Sequence, residues 1–266
     1  MSKARQETRI LLVEDNLINQ EVTLRSLEHL GYRNVETAED GRLALAALAA
    51  RDFDLVLMDC HLPELDGYAT CREIRNRRSA IRNHQIPVVA LTAAAMESDR
   101  QKCFAAGMDG YLAKPLRLQA LADAIEQFAS NAATAIAAAD LPEGSATGTP
   151  AAFDGETFAG SVMGSRQLAR RIIRRFVDDM PRQIALLAQA VSDCDAPRVR
   201  LVAHSIKGAA ASVSSEEMRE VSCELERNGR DGDLTGAGDA IPKLWTSFAR
   251  AKQAMERFCE EDGRQI

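Results

Sequence analysis

Residues Asp54–Asp59 read DLVLMD, a nearly unbroken apolar run closed by an acid. A strand with one face in water alternates apolar and polar side chains. A run without alternation suits a strand buried on both faces, as in a parallel sheet covered by helices. The flanking sequence agrees. With Asp54–Met58 as the third strand, Ile10–Val13, Asn34–Thr37, Pro87–Leu91 and Gly110–Leu112 read as four more. Helical periodicity occupies Leu17–Leu30, Gly41–Ala50, Tyr68–Asn76, Ser98–Ala106 and Leu118–Phe128. Strand–helix alternation at this spacing predicts an α/β domain with a five-stranded parallel sheet.

That domain accounts for half of the 266 residues. Domains of roughly 100–200 residues make two the natural count. Residues 130–152, SNAATAIAAADLPEGSATGTPAA, read as a linker between domains at 1–129 and 153–266. With 33 Lys+Arg against 39 Asp+Glu the chain is acidic, which argues against general nucleic-acid affinity. Apolar stretches such as Ala44–Ala50 fall far short of the ~18 residues a membrane helix needs, so no membrane insertion is expected. The polar start, Met1 to Arg9, is unlike a secretory leader. Six dispersed cysteines without a CxxC pair point to reduced packing residues in a cytoplasmic protein.

In open parallel sheets, chemistry collects beyond the carboxyl ends of the strands. Here those ends supply Glu14 and Asp15, then Asp59, Thr92 and Lys114. Each alone also fits a helix cap or an ordinary loop. Together they make an acidic pocket whose carboxylates repel one another, so that in its empty state a carboxylate pKa rises. A hard cation with oxygen ligands, Mg²⁺, removes that penalty. The set reads as a phosphoryl-transfer site, with Asp59 the nucleophile, Thr92 a hydroxyl donor and Lys114 the cationic partner.

The stretches ILLVEDN, LVLMDCHLPELDGY, VVALTA and GYLAKPL, in this order, resemble the receiver domain of two-component response regulators over about Thr8 to Phe128. The resemblance implies a flavodoxin-like sheet of order 2-1-3-4-5, the order of the chemotaxis receivers. It implies Asp59 as phospho-acceptor and Mg²⁺ held by Glu14, Asp15, Asp59 and the backbone carbonyl of His61. Thr92 and Tyr111 would be a coupled switch pair.

The second half shows only helical periodicity. Arg166–Val191 spaces Ile173, Phe176, Met180, Ile184, Leu187 and Val191 as a core stripe, with a kink or loosening expected at Pro181. Its arginines Arg170, Arg171, Arg174 and Arg175 read as a solvated face. Glu216–Asn228 and Asp239–Phe258 are further helices, the last with Leu244, Trp245 and Phe248 inward. The pattern predicts an all-α four-helix bundle. In Ala196–Val213 the stripe is Val199, Val202, Ile206, Ala209 and Val213. His204 lies about 200° around the helix from Val202, which predicts an outward imidazole beside Arg200, Lys207, Gly208 and Ala211. Imidazole is largely neutral and nucleophilic near pH 7.

AHSIKGAAA resembles the core motif of histidine-containing phosphotransfer domains, over roughly Phe153 to Phe258. By that resemblance His204 is the phosphorylated histidine, Lys207 and Gly208 flank it, and Gly208 and Ala211 face a partner. Ser214-Ser215 stands where the family often has Gly-Ala, and Ser214 with Glu217 is expected to form a capping box. The two resemblances together imply a phosphorelay protein, receiving a phosphoryl group from a sensor histidine kinase and passing it to a downstream receiver. No GxxxxGK[ST] loop is found, so autonomous ATP-dependent kinase activity is not expected. Met1 fits a free-standing protein, although such tails also end hybrid sensor kinases. The alternative is a phosphorylation-switched interaction protein in which His204 is incidental.

Overall fold

The computed structural model describes residues 3–92, 97–114, 116–129, 150–162 and 164–261. The chain divides into two compact units, Met1–Leu141 and Pro142–Ile266. Most of the expected linker, residues 130–149, lies outside the described residues.

The first unit contains β1 (Arg9–Val13), β2 (Asn34–Ala38), β3 (Leu55–Asp59), β4 (Val88–Thr92) and β5 (Gly110–Ala113). They form one parallel sheet of order β2-β1-β3-β4-β5, as expected. Helices α2 (Leu17–His29), α3 (Gly41–Ala50), α4 (Gly67–Arg75), α5 (Glu97–Ala105) and α6 (Leu118–Ala129) connect and follow them. The two-residue period of a strand splits the apolar runs cleanly. Ile10, Leu12, Leu55, Leu57, Val89 and Leu91 pack with Leu27 of α2 and Leu121 and Ile125 of α6. Leu11, Val13, Val56, Met58, Val88 and Ala90 pack with Leu48 of α3, Ile74 of α4 and Cys103 of α5. DLVLMD lacks alternation because both of its faces are core.

Cys60, Cys71 and Cys103 are buried, in line with their reading as packing residues, whereas Cys194 and Cys223 are exposed and depart from it. A helix that polar Met1–Arg9 did not announce, α1 (Lys3–Glu7), is held by Arg5. Arg5 pairs with Glu126, donates to the Leu30 carbonyl and lies 6.0 Å from the Tyr32 ring centroid.

The second unit holds a short α7 (Gly155–Ser161), also unannounced, and four longer helices. These are α8 (Arg166–Ser192), α9 (Ala196–Ser212), α10 (Glu216–Asp231) and α11 (Ala237–Glu261). Each long helix packs on its neighbours in sequence and α11 returns to α8, closing a four-helix bundle. Helix α8 runs through Pro181 as one element, and Arg170, Arg171, Arg174 and Arg175 are exposed as expected. Trp245 is not inward. It is 39% exposed, set edge-on to Phe248 at 6.0 Å, while Leu244 and Phe248 fill the core.

The capping box at Ser214 does not form. Ser214 has φ +54° and Ser215 is the N-cap, without a side-chain capping bond. The Ser215 hydroxyl donates instead to Ala152 O at 2.7 Å, and Glu217 N donates to Ala151 O at 3.2 Å. A stretch just before α7 thus takes the place of the cap.

Helices α9 and α10 approach so closely that a Cβ on Gly229 would lie 2.4 Å from the backbone nitrogen of Arg200. Backbone cannot swing aside as a side chain can. Gly229→Ala is therefore expected to destabilise the bundle by about 1–3 kcal/mol, outweighing the ~1 kcal/mol gain in helix propensity. Urea unfolding followed by the fluorescence of Trp245, the single tryptophan, measures it.

Candidate functional sites

The parallel sheet places its strand ends side by side. Asp59 is the last residue of β3 and Thr92 of β4, while Glu14 and Lys114 follow β1 and β5 directly. Glu14 is completely buried, Asp59 and Thr92 nearly so, and Asp15 is half-buried. Carboxylate oxygens of Glu14, Asp15 and Asp59 lie within 4.8 Å of one another. Lys114 Nζ donates to Glu14 Oε2 and to Asp59 Oδ2, each at 2.5 Å. The His61 backbone N–H donates to Asp59 Oδ1 at 3.0 Å. All five predicted pocket residues therefore meet at one edge.

Electrostatics follow from burial. Desolvation pushes the Glu14 carboxyl up to about 8 against the attraction of Lys114, and the neighbouring Asp59 adds to the rise. Burial alone would lower Lys114, but Asp59 and Glu14 together raise it well above the ordinary lysine range. Three hard oxygen donors crowded at one point fit a divalent cation such as Mg²⁺.

On the same face of the sheet as Thr92 lies Tyr111, paired with Ala90 two residues earlier along β4. Tyr111 is 8% exposed, edge-on to Phe104 at 6.4 Å, with the Arg100 guanidinium 5.2 Å from its ring centroid. The two expected switch residues are thus diagonal neighbours held inward.

In the second unit the prediction of an outward His204 is overturned. His204, Lys207 and Gly208 are buried, and Ala211 is half-buried. Val202, expected inside, is half-exposed. Helix α10 packs along a flank of α9 that the apolar stripe does not mark. From α10, Glu226 reaches His204 Nδ1 through Oε1 at 2.7 Å and accepts from Lys207 Nζ through Oε2. Burial would raise this carboxyl, but the hydrogen bond and charge of His204, with Lys207, hold it down at about 2. An ionised carboxylate only accepts, so Nδ1 carries a hydrogen, and in the neutral form of the ring the lone pair falls on Nε2. Sequence reasoning missed Glu226. The signal was available: Met218, Ser222, Leu225 and Gly229 are the buried stripe of α10, and Glu226 is a charge set into it.

With this geometry in hand, comparison with known proteins is direct. Residues 10–126 match the family model of the response regulator receiver domain, and residues 171–261 match that of the Hpt domain. The chain thus joins a receiver domain to an Hpt domain. Virulence sensor protein BvgS of Bordetella bronchiseptica is 30% identical over 259 residues, covering 96% of this chain. Sensor histidine kinase AruS of Pseudomonas aeruginosa is 32% identical over 238 residues, covering 89%. The chain spans 21% and 22% of the length of these relatives. Among solved structures, the receiver domain of another Pseudomonas aeruginosa sensor histidine kinase, with magnesium in its active site cleft, is 42% identical. That alignment covers 46% of this chain and 98% of that one, with a TM-score of 0.42.

Two pH effects of opposite sign follow. Glu14 binds its proton more tightly folded than unfolded, so its contribution is full below pH ~4.5 and lost as pH rises through about 8. In chelator, hydrogen exchange of β1 and β3 should quicken over that window, and Glu14→Gln should flatten the profile. Glu226 is depressed, so its contribution is full above pH ~4.5 and lost as pH falls through about 2. Acid titration of the stability reported by Trp245 should show that loss, and Glu226→Gln should remove it.

Proposed function

We propose that this chain is a phosphorelay protein in which Asp59 accepts a phosphoryl group from a sensor kinase phosphohistidine. His204 then exchanges that group with a receiver aspartate. The observation that carries the reading is a single chain holding both halves of the chemistry. One unit has a carboxylate among carboxylates, bridged by Lys114; the other has an imidazole whose Nδ1 faces a carboxylate.

In the first transfer an Asp59 oxygen forms a bond to phosphorus as the donor's N–P bond breaks, and the electron pair returns to the donor imidazole. Glu14, Asp15, Asp59 and the His61 carbonyl would hold Mg²⁺, which when bound neutralises charge on the phosphoryl oxygens. Lys114 offsets charge on the new acyl phosphate and the Thr92 hydroxyl donates to it. Repositioned Thr92 and Tyr111 would report the modification. In the second transfer the Nε2 lone pair of His204 attacks phosphorus as the O–P bond of the receiver aspartate breaks and its electron pair returns to that carboxylate, while Glu226 holds the proton on Nδ1. Lys207 offsets the added charge, and Gly208 and Ala211 leave space for a partner. Little covalent machinery is required, because alignment and charge neutralisation carry most of such a reaction.

The implied partners are a sensor histidine kinase and a downstream response-regulator receiver. Nucleic acid and membrane insertion have no part in the reading; among the described residues no helix is long and apolar enough to cross a membrane. A cytoplasmic setting, where such partners work, completes it.

Given a small acyl phosphate and Mg²⁺, the full chain should gain one alkali-labile phosphoryl group, absent in Asp59→Ala. Given a phosphorylated receiver, it should gain an acid-labile, alkali-stable phosphoramidate, absent in His204→Gln. Label that survives both substitutions would overturn the proposal.

A further inference from the structure

Helix α2 buries an unusual stripe. Beside the apolar Ile18 and Leu27, its buried positions are the polar Asn16, Asn19, Thr23 and Ser26. Buried polar groups at the start of a helix need partners, and these have them. Asn16 caps the helix, accepting from the backbone N–H groups of Ile18 and Asn19. The Thr23 hydroxyl donates to Asn19 O at 2.8 Å, and the Ser26 hydroxyl to Val22 O. All of these bonds stay within the helix or its cap. Asn19 sends its side chain out of the helix: its Nδ2 donates to Glu14 Oε1 at 2.9 Å. Gln20 Nε2 holds the Glu14 carbonyl from the next position at 3.3 Å.

The partition of Glu14 is the telling feature. One carboxylate oxygen belongs to the Asn19 amide and the other faces Lys114 and the carboxylate cluster. A fully buried acid could turn about its side-chain torsions to escape its neighbours. An amide donor anchored in a capped helix prevents that turn. We infer that Asn19 is a positioning residue for the divalent-cation site, fixing Glu14 so that Oε2, not Oε1, is presented to the ion. The inference rests on the reading of Glu14, Asp15 and Asp59 as that site.

Partners of this kind orient a ligand without touching the ion, and their loss typically costs about 10–100-fold in affinity. The loss should also be selective. Mg²⁺ demands near-ideal octahedral geometry, whereas Ca²⁺ accepts flexible, irregular oxygen sets. An unanchored Glu14 is therefore a worse ligand for the smaller ion.

The test is calorimetric titration of the full chain with Mg²⁺ and, separately, Ca²⁺, for wild type, Asn19→Leu and Asn19→Ala. Leucine keeps the volume and removes the donor; alanine covers the case in which leucine does not fold. The expected result is an approximately tenfold or greater rise in the Mg²⁺ Kd, with a distinctly smaller rise for Ca²⁺. A lower melting temperature with an unchanged Mg²⁺ Kd, or equal losses for both ions, would overturn the assignment. Wild type that takes up neither ion would sink the cation site itself, a separate failure.

Discussion

The receiver unit depends on a repulsion. Parallel pairing sets every strand end along one edge, and this sequence puts carboxylates at the ends of β1 and β3 beside each other. Like charges this close, largely shut off from water, cannot all ionise without a cation among them. Lys114 meets part of the demand and Glu14 answers the rest by holding its proton more tightly. Much else at this edge can be understood as fixing those groups in place. Gly67 is one case: a Cβ there would come within 2.1 Å of Asp59 O, so α4 can start this close to the strand end only with glycine.

The helical unit solves a smaller version of the same problem. His204 and Lys207 of α9 both pair with Glu226 of α10, and the carboxylate serves both partners. A cluster of this kind contributes less to stability than apolar packing of equal volume would. What it supplies is direction: the imidazole cannot exchange its two nitrogens while Nδ1 faces Glu226.

The fold was legible because its signals are local. The unbroken DLVLMD run, the strand–helix spacing and the i/i+4 stripes each depend on a few adjacent residues, and every expected α/β element appears within a residue or so of its expected position. The pocket was legible for the same reason, since strand ends fall at one edge of a parallel sheet whatever the side chains. What escaped depends on a second element. His204 looks outward on a wheel drawn from α9 alone and turns out to lie against α10. The expected Ser214 cap is displaced because Ala151 and Ala152, far away in sequence, supply acceptors. Trp245 follows the apolar periodicity of α11 yet stays partly in solvent, because a stripe wider than its neighbours can cover leaves its edge exposed.

The two sites also differ in net charge, and the difference bears on which of them needs a metal. Fully ionised, three carboxylates against one ammonium leave the receiver pocket two charges negative, matching a divalent ion and resisting an incoming phosphoryl group without one. In the helical cluster one carboxylate faces both an ammonium and the imidazole, so its charge already has partners. On the proposed relay, neutralising the transferred group would fall to the receiver pocket in both directions of transfer. The imidazole would then need only the right nitrogen, presented by Glu226, and Lys207 to offset charge on a neighbouring turn of α9.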